Sequence, residues 1–452
     1  MKITRILIYA AFPLIYVINM FFDLKIFNIL IFILACFALI LSFSKARRFY
    51  TLMGAIFLFI GLLLFFVSDT PSGILSEAFH PMIGVIGFLL VLPFIQAIIR
   101  IGTYDVSLYQ FLQHRVKTLH ELYGRASIGV YILSIFLAIA AIPVSAQSFG
   151  KRITALKGEA RKRFISNFLS RSYGFGWTSS PVEMAVLIVL DGTNANILIV
   201  FSIFMVISAV LLFVEWYAQK RHYQHIPLEN SEEETVSFPK DDFVKTIQFI
   251  VAIVVFLLSV LLVNTILDKG IVIAIIFILF PFCFLWSLFI RKPKEFLQEV
   301  RSVWPQSAEN MSDFNMLFLS AGFFVTMVQA SPLLDLLNEL LVSQFHYLPV
   351  IVFCLFISLL LWLLTYLGVQ LLVLLALFAS ILQPIFAGHE NALAILLIGV
   401  SMPLILINPF SVNTNILASV LRVHVATFIR WNLGFALRYI LLINIIVFLL
   451  ML

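Results

Sequence analysis

The chain has 452 residues, of which 62% are hydrophobic and only 12% are charged, with a net charge of +6. Its mean hydropathy is +1.09. Soluble domains carry about 25% charged residues, so this composition excludes a soluble enzyme or binding domain and indicates a polytopic membrane protein. The Lys and Arg residues lie in short loops between apolar runs, where they report membrane orientation and give no sign of a nucleic-acid partner.

Apolar runs close to 20 residues, the length that crosses about 30 Å of hydrocarbon, recur from end to end. The first run follows Met1 closely and has no small-residue cleavage site after it, so we expect a retained helix and not a signal peptide. In chain order the predicted spans are 4–22, 26–44, 50–68, 83–101, 127–147, 175–190, 194–217, 243–266, 270–290, 312–330, 347–386, 392–421 and 432–452.

The positions of basic residues predict how these runs are oriented. If every run crossed once, the basic clusters could not all face the cytoplasm, as the positive-inside rule requires. The conflict disappears if 127–147 re-enters near Pro143-Val144-Ser145 and if 347–386 re-enters near Tyr366-Leu367-Gly368-Val369-Gln370. We therefore predict an all-α protein with about eleven transmembrane helices plus two re-entrant hairpins, its N-terminus in the cytoplasm. A full span at 127–147 with a local violation of the rule stays open.

The chain also divides into two similar halves. Residues 219–242 are the most polar stretch and include Glu232-Glu233-Glu234, which is typical of a solvated linker. We predict a first transmembrane repeat at 1–218, a cytoplasmic linker at 219–242 and a second repeat at 243–452. A weak echo, Gly87-Phe88 against Gly322-Phe323, agrees with this division.

Two apolar runs contain the same kind of polar, proline-centred break. They read Thr178-Ser179-Ser180-Pro181-Val182-Glu183 and Asn408-Pro409-Phe410-Ser411-Val412-Asn413-Thr414-Asn415. Pro181 and Pro409 are 228 positions apart, close to half of the 452-residue length. Such breaks at corresponding places in two halves point to a transporter binding site. A proline kink compensated by Ser and Thr hydroxyls is the alternative.

Each break offers groups that could bind a solute or an ion. A half-helix that starts after a break points its positive end at an anion, and one that ends before it presents carbonyl oxygens that suit Na⁺. The predicted binding residues are Thr178, Ser179, Ser180, Asn408, Ser411, Asn413 and Thr414, with Pro181 and Pro409 as the helix-breaking residues.

Glu183 is a carboxylate inside a predicted span, which by default makes it a functional candidate. It could bind Na⁺, carry a coupling proton or pair with a nearby cation, and we predict the coupling role. Arg171, just before the first break, could neutralise an anionic substrate or serve as a positive-inside anchor.

Other chemistry is not indicated. The three cysteines lie in apolar runs and the eight histidines show no metal-ligand spacing, so we expect neither a metal site nor a cofactor other than Na⁺. Gly-x-Ser-x-Gly, a Walker glycine loop followed by Lys, and His-Glu-x-x-His do not occur in the sequence. We therefore predict a protein that is not an enzyme.

Two inverted halves, each with a re-entrant hairpin followed by a broken helix, resemble the ion transporter superfamily, which includes divalent-anion:sodium symporters, citrate transporters and arsenite permeases. Members of that superfamily carry Ser-Asn-Thr at the hairpin tips, and neither tip here has that triplet. Ser179, Ser180 and Pro181 in one break and Asn408 to Thr414 in the other are the nearest polar matches. The resemblance implies transport but does not identify the solute.

The predicted function is secondary active transport of a small anionic solute, coupled to Na⁺ or H⁺ by alternating access, in the plasma membrane. The expected partners are that solute and the lipid bilayer, and a homodimer is compatible with the sequence. A flippase or exporter of an amphipathic lipid shares the architecture and remains an alternative. An envelope-polysaccharide enzyme is a second alternative, although the outer loops are short for one.

Overall fold

The computed structural model describes residues 2–68, 71–150, 152–228 and 240–452. Over these ranges the chain forms twenty α-helices, and the only β-type pairing among them is an isolated bridge between Thr118 and Pro227. Ten helices are long and apolar enough to cross a membrane, or eleven if one pair bent by 56° forms a single span. The all-α, multi-pass architecture predicted from the sequence is confirmed.

Ten of the twenty α-helices lie in the first half of the chain. Their bounds are α1 Lys2–Phe22, α2 Lys25–Phe43, α3 Arg48–Val67, α4 His80–Gly102, α5 Tyr104–Gln113, α6 Leu119–Leu137, α7 Ala141–Gly150, α8 Gly158–Thr178, α9 Met184–Thr193 and α10 Ile197–Tyr223.

The second half contains the other ten. Their bounds are α11 Lys240–Leu267, α12 Ile271–Phe289, α13 Pro293–Glu309, α14 Ser312–Gln329, α15 Pro332–Tyr347, α16 Val350–Tyr366, α17 Leu371–Leu382, α18 Glu390–Ile407, α19 Val412–Leu421 and α20 Val425–Leu450. From α4 to α10 and from α14 to α20, long and short helices follow one another in the same order.

Two compact units account for the described residues, and each draws on both halves of the chain. The first unit comprises 1–101, 256–347 and 372–385, and the second comprises 102–255, 348–371 and 386–452. The predicted repeats, 1–218 and 243–452, concern similarity between the two halves of the sequence, which a division into compact units does not test. They stay a prediction. Most of the predicted linker, 229–239 with its three glutamates, lies outside the described residues, whereas 219–223 continue α10.

In the first unit, small residues let helices approach closely, as is common in membranes. Gly54 and Gly61 on α3 face α14, and a Cβ at Gly61 would lie 2.6 Å from the ring of Phe323. The Tyr9 hydroxyl is buried between the hydroxyls of Ser42, at 2.8 Å, and Ser312, at 3.2 Å. These contacts join α1, α2, α3 and α14.

In the second unit, α6 and α7 form a helical hairpin. The 32 residues Leu119–Gly150 together satisfy the length criterion for one span. A Cβ at Gly129 would lie 3.1 Å from the ring of Phe149, however, so α7 folds back along α6. The chain reverses at Ala138 (φ 46°, ψ −129°), ahead of the predicted turn at 143–145. Pro143 instead lies in the first turn of α7, where its missing N–H costs nothing.

The second predicted hairpin also contains two helices. The two helices are separated at 367–370, inside the predicted turn at 366–370, with Gly368 at φ +92°. Re-entry of the chain at this point stays a prediction. The first arm, α16, belongs to the second unit and the other arm, α17, to the first.

The predicted span 175–190 was wrong in its extent. The structure has a long helix, α8, that begins at Gly158, then a break, then α9. Residues 158–174 of α8, which the predicted span left out, are too polar for a hydropathy criterion, yet Phe164, Ser166 and Ser170 are fully or almost fully buried in protein. The Ser170 hydroxyl donates to the carbonyl of Ser166 (2.6 Å) and contacts Oδ1 of Asn432 (2.8 Å), which satisfies it without water. Helices α5, α13 and α15 occupy stretches that lie between the predicted spans.

Candidate functional site: two helix breaks in one unit

The first break lies between α8 and α9 and is almost completely buried. Thr178 and Ser180 are 0% exposed and Ser179 is 6% exposed. The Ser180 hydroxyl donates to the carbonyl of Ile135 on α6 at 2.6 Å and accepts the Val182 N–H at 3.2 Å. Ser180 therefore ties the break to the end of the α6 arm of the hairpin.

The other two hydroxyls of this break have different surroundings. The Thr178 hydroxyl donates to the carbonyl of Phe175, three residues earlier, and so provides a partner for a backbone oxygen in the last turn of α8. Ser179 makes a long contact, 3.4 Å, with the hydroxyl of Ser208 on α10 and also interacts with the side chain of Tyr131. Of the three predicted binding residues, Ser179 is the one whose oxygen is least committed to the backbone.

The second break lies between α18 and α19, and its carbonyls are also occupied by side chains. The carbonyl of Ile405 accepts the hydroxyls of Ser411 (3.1 Å) and Thr414 (2.7 Å). The Asn408 amide donates to the carbonyl of Thr365 at 3.0 Å and its oxygen accepts the Phe410 N–H at 2.8 Å. The carbonyls expected to be open for Na⁺ are thus held by hydroxyl and amide donors, as in the kink alternative.

One hydrogen bond joins the regions of the two breaks. The hydroxyl of Tyr173, in the last turns of α8, donates to Oδ1 of Asn413, in the first turn of α19, at 3.0 Å. Nearby, a Cβ at Gly174 would lie 2.6 Å from Sδ of Met402 on α18. The structure therefore brings the predicted residue Asn413 next to the first break, across a sequence separation of 240 residues.

Glu183 lies at the N-terminal end of α9 and is half-buried. Its carboxylate has the Trp177 indole N–H beside it and acts electrostatically on the Tyr173 hydroxyl. No Lys, Arg or His nitrogen lies within 4 Å of it in the ranges that the structure describes. A structural ion pair, one of the roles left open for this residue, is therefore not present there.

Arg171, by contrast, is paired. It forms a short ion pair with Glu215 on α10, receives support from Asn167, and lies 5.0 Å over the ring of Phe435. Its charge is compensated within the protein, so it is not a free cation for a substrate.

Basic residues line a cleft of about 420 Å³ formed by α7, α8 and α19. Arg161, Lys162 and Arg422 line it, and none of its lining residues is a carboxylate. The cleft is formed by helices of the hairpin and of the two breaks, and its three cationic side chains would attract anions to these helices.

Several residues of this region were missed by sequence reasoning. Tyr173 and Trp177 stand in an aromatic, glycine-rich stretch that gives no specific signal, and their importance depends on distant partners. Arg438 could have been found, because it is an arginine inside the apolar span Val425–Leu450. No group of three or more His, Cys, Asp or Glu suited to a metal occurs among the described residues.

Comparisons with known proteins define the fold further. Neither a protein-family model nor a curated protein sequence matches the chain. The structure is similar to the crystal structure of the YdaH transporter of Alcanivorax borkumensis, with a TM-score of 0.59 and 11% sequence identity. The similarity covers 88% of this chain and 97% of that one. The chain shares the fold of a membrane transporter.

Proposed function

We propose that the protein is a secondary active transporter that moves a small anionic solute, coupled to a Na⁺ or H⁺ gradient, by alternating access. The observation that carries the proposal is the meeting of two helix breaks within one compact unit through Tyr173 and Asn413. Broken helices at corresponding places in two halves are the usual setting for transporter sites. The fold shared with a transporter supports the same reading.

Symmetry between the breaks also supports the proposal. Met402 stands 228 positions after Gly174, the same separation as between Pro181 and Pro409, and Gly174 faces Met402. Contact between equivalent positions is what a two-fold axis produces. We therefore infer an inverted repeat whose axis passes near this contact, with α8 and α18 as equivalent helices.

The roles follow from the surroundings of each residue. Asn413 and Ser179 would contact the solute, since their side chains are the least engaged with backbone groups. Glu183 would couple transport, because its carboxylate has no ion-pair partner among the described residues and is therefore free to exchange a proton or a cation. The basic cleft with Arg161, Lys162 and Arg422 favours an anion as the solute.

Flux into proteoliposomes tests this function. Purified protein is reconstituted, and labelled carboxylates, sulfate, phosphate and arsenite are offered with an inward Na⁺ gradient, an inward H⁺ gradient or neither. We expect uptake of at least one anion that rises with one gradient and collapses with the matching ionophore. Uptake of no anion above protein-free liposomes under any gradient would reject the proposal.

A further inference from the structure

A second cleft, of about 630 Å³, lies between α8, α10 and α20, away from the hydrogen bond that joins the breaks. Three arginines line it, Arg163, Arg171 and Arg438, together with Glu159 and Glu215. Arg171 and Glu215 are paired with each other, which leaves Arg163, Arg438 and Glu159, all three exposed, as the remaining charges apart from His222.

Arg438 is the unusual member of this group. It lies inside the apolar helix α20 and donates from Nε to the carbonyl of Gly434 at 3.0 Å, which occupies one of its five N–H groups. No carboxylate oxygen lies within 4 Å of it in the described part of the chain. A cation at this position in a membrane helix is costly unless it faces a polar cavity or an anion.

The helices that frame the cleft also carry exposed apolar side chains. On α20, Leu437 and Leu441 are 47% and 48% exposed, on either side of Arg438. On α10, Phe213 and Tyr217 are each 60% exposed, next to the cleft residue Ala218. Guanidinium groups beside lipid-facing surface are complementary to a molecule with an anionic head and apolar chains.

We propose that this cleft binds the phosphate headgroup of an anionic phospholipid. Arg438 and Arg163 hold the phosphate through charge-assisted hydrogen bonds, and the acyl chains lie along the apolar surfaces of α10 and α20. Basic pockets between transmembrane helices recognise lipid headgroups in this way. The proposal does not depend on transport, since lipid can bind whether or not the protein moves a solute.

Native mass spectrometry of the full-length protein in detergent tests the site. The protein is titrated with phosphatidylglycerol or with phosphatidylcholine of the same acyl chains. We expect tighter binding of phosphatidylglycerol, a roughly five-fold loss of that affinity in Arg438→Gln and largely retained binding in Arg438→Lys, since one cation near the membrane contributes about that much. Arg430→Gln is the matched control, because it removes an exposed arginine of the same helix that does not line the cleft.

Three outcomes would overturn the proposal: equal affinity for the two lipids, equal effects of Arg438→Gln and Arg430→Gln, or displacement of phosphatidylglycerol by millimolar inorganic phosphate. The last result would identify a free-anion site in place of a lipid site. If Arg438→Gln does not fold, Arg163→Gln is measured in its place and must show a comparable loss.

Discussion

The hydroxyl of Tyr173 donates a 3.0 Å hydrogen bond to Oδ1 of Asn413 and so links a helix that ends at one break to a helix that begins at the other. Tyr173 is 1% exposed, whereas Asn413 is half-buried. The tyrosine therefore positions the amide, and the other side of the amide is available for a ligand. A solute bound at Asn413, as we propose, would act on both broken helices through this hydrogen bond.

Tyr173→Phe tests that link. The ring keeps its packing while the hydrogen bond is lost, so we expect a folded protein whose KM for the transported anion rises roughly five-fold, the equivalent of one net hydrogen bond of about 1 kcal/mol. Tyr9→Phe is the control, because it removes a buried hydroxyl of the first unit. Equal KM values for the two variants would contradict the positioning role.

Glu183→Gln tests coupling. The amide keeps the size of the side chain but neither binds a proton at neutral pH nor attracts a cation, so uptake should become independent of the driving gradient while exchange of solute across the membrane persists. Asp191→Asn, at the exposed end of α9, serves as the matched loss of charge. Gradient-dependent uptake of wild-type size in Glu183→Gln would assign coupling elsewhere.

Ser180 and Ser179 are neighbours in sequence but differ in environment. Ser180→Ala leaves the Ile135 carbonyl and the Val182 N–H without their partner, which should cost roughly 1–3 kcal/mol of stability. Ser179→Ala loses contacts with the hydroxyls of Ser208 and Tyr131 but leaves no backbone group without its partner, so it should melt closer to wild type than Ser180→Ala while weakening solute binding. Scanning fluorimetry in detergent and uptake on the same samples separate the two; the opposite pattern would reverse the assignments.

Gly176 holds α8 against α6. A Cβ there would lie 2.6 Å from the carbonyl oxygen of Tyr131 and from Cβ of Ser134, and the backbone oxygen cannot rotate away. Gly176→Ala should therefore lower stability by roughly 1–3 kcal/mol, as overpacking does. Gly434→Ala on α20 meets open space and is the control. Similar melting temperatures for both variants would show that the α6–α8 contact can relax.

Ala138 offers a stabilising change. Its φ of 46° places a Cβ in a region that favours glycine, at the reversal of the α6–α7 hairpin. Ala138→Gly should relieve about 1 kcal/mol of strain, and Ala138→Val should have the opposite effect. Melting temperatures measured side by side check the sign, and a lower value for the glycine variant would exclude strain at this turn.

The sequence predicted the membrane architecture and the places of both breaks because the signals are local. High hydropathy over about 20 residues indicates a membrane span, and a proline within a polar cluster indicates a break in it. The sequence did not predict residues 158–174 as part of a helix in the membrane region, because their serines are tolerated by burial in protein and not in lipid. The turn at Ala138 was not predicted, because alanine rarely adopts a positive φ.

The pairing of residues across the two halves could not be read from the sequence. Neither Tyr173 nor Met402 belongs to a recognisable motif, and their partners are fixed by how the helices cross. Proline spacing indicated that the breaks correspond. The proline spacing could not indicate that the Ser180 hydroxyl would donate its hydrogen bond to the carbonyl of Ile135. Nor could it indicate that Arg171 would form an ion pair with Glu215.

The carbonyl oxygen of Ile405 has both of its lone pairs engaged, one by the hydroxyl of Ser411 and one by that of Thr414. A cation could reach this oxygen only by exchange, with one hydroxyl rotating away and turning its own lone pairs toward the ion. The C-terminal end of α18 would then be stabilised in one of two ways. Without an ion, the Ser411 and Thr414 hydroxyls hold the Ile405 carbonyl; with an ion, the ion and the remaining hydroxyl hold it. Ion binding at this carbonyl would therefore alter the start of α19, because the hydroxyl that rotates away belongs to its N-cap residue or to its first turn.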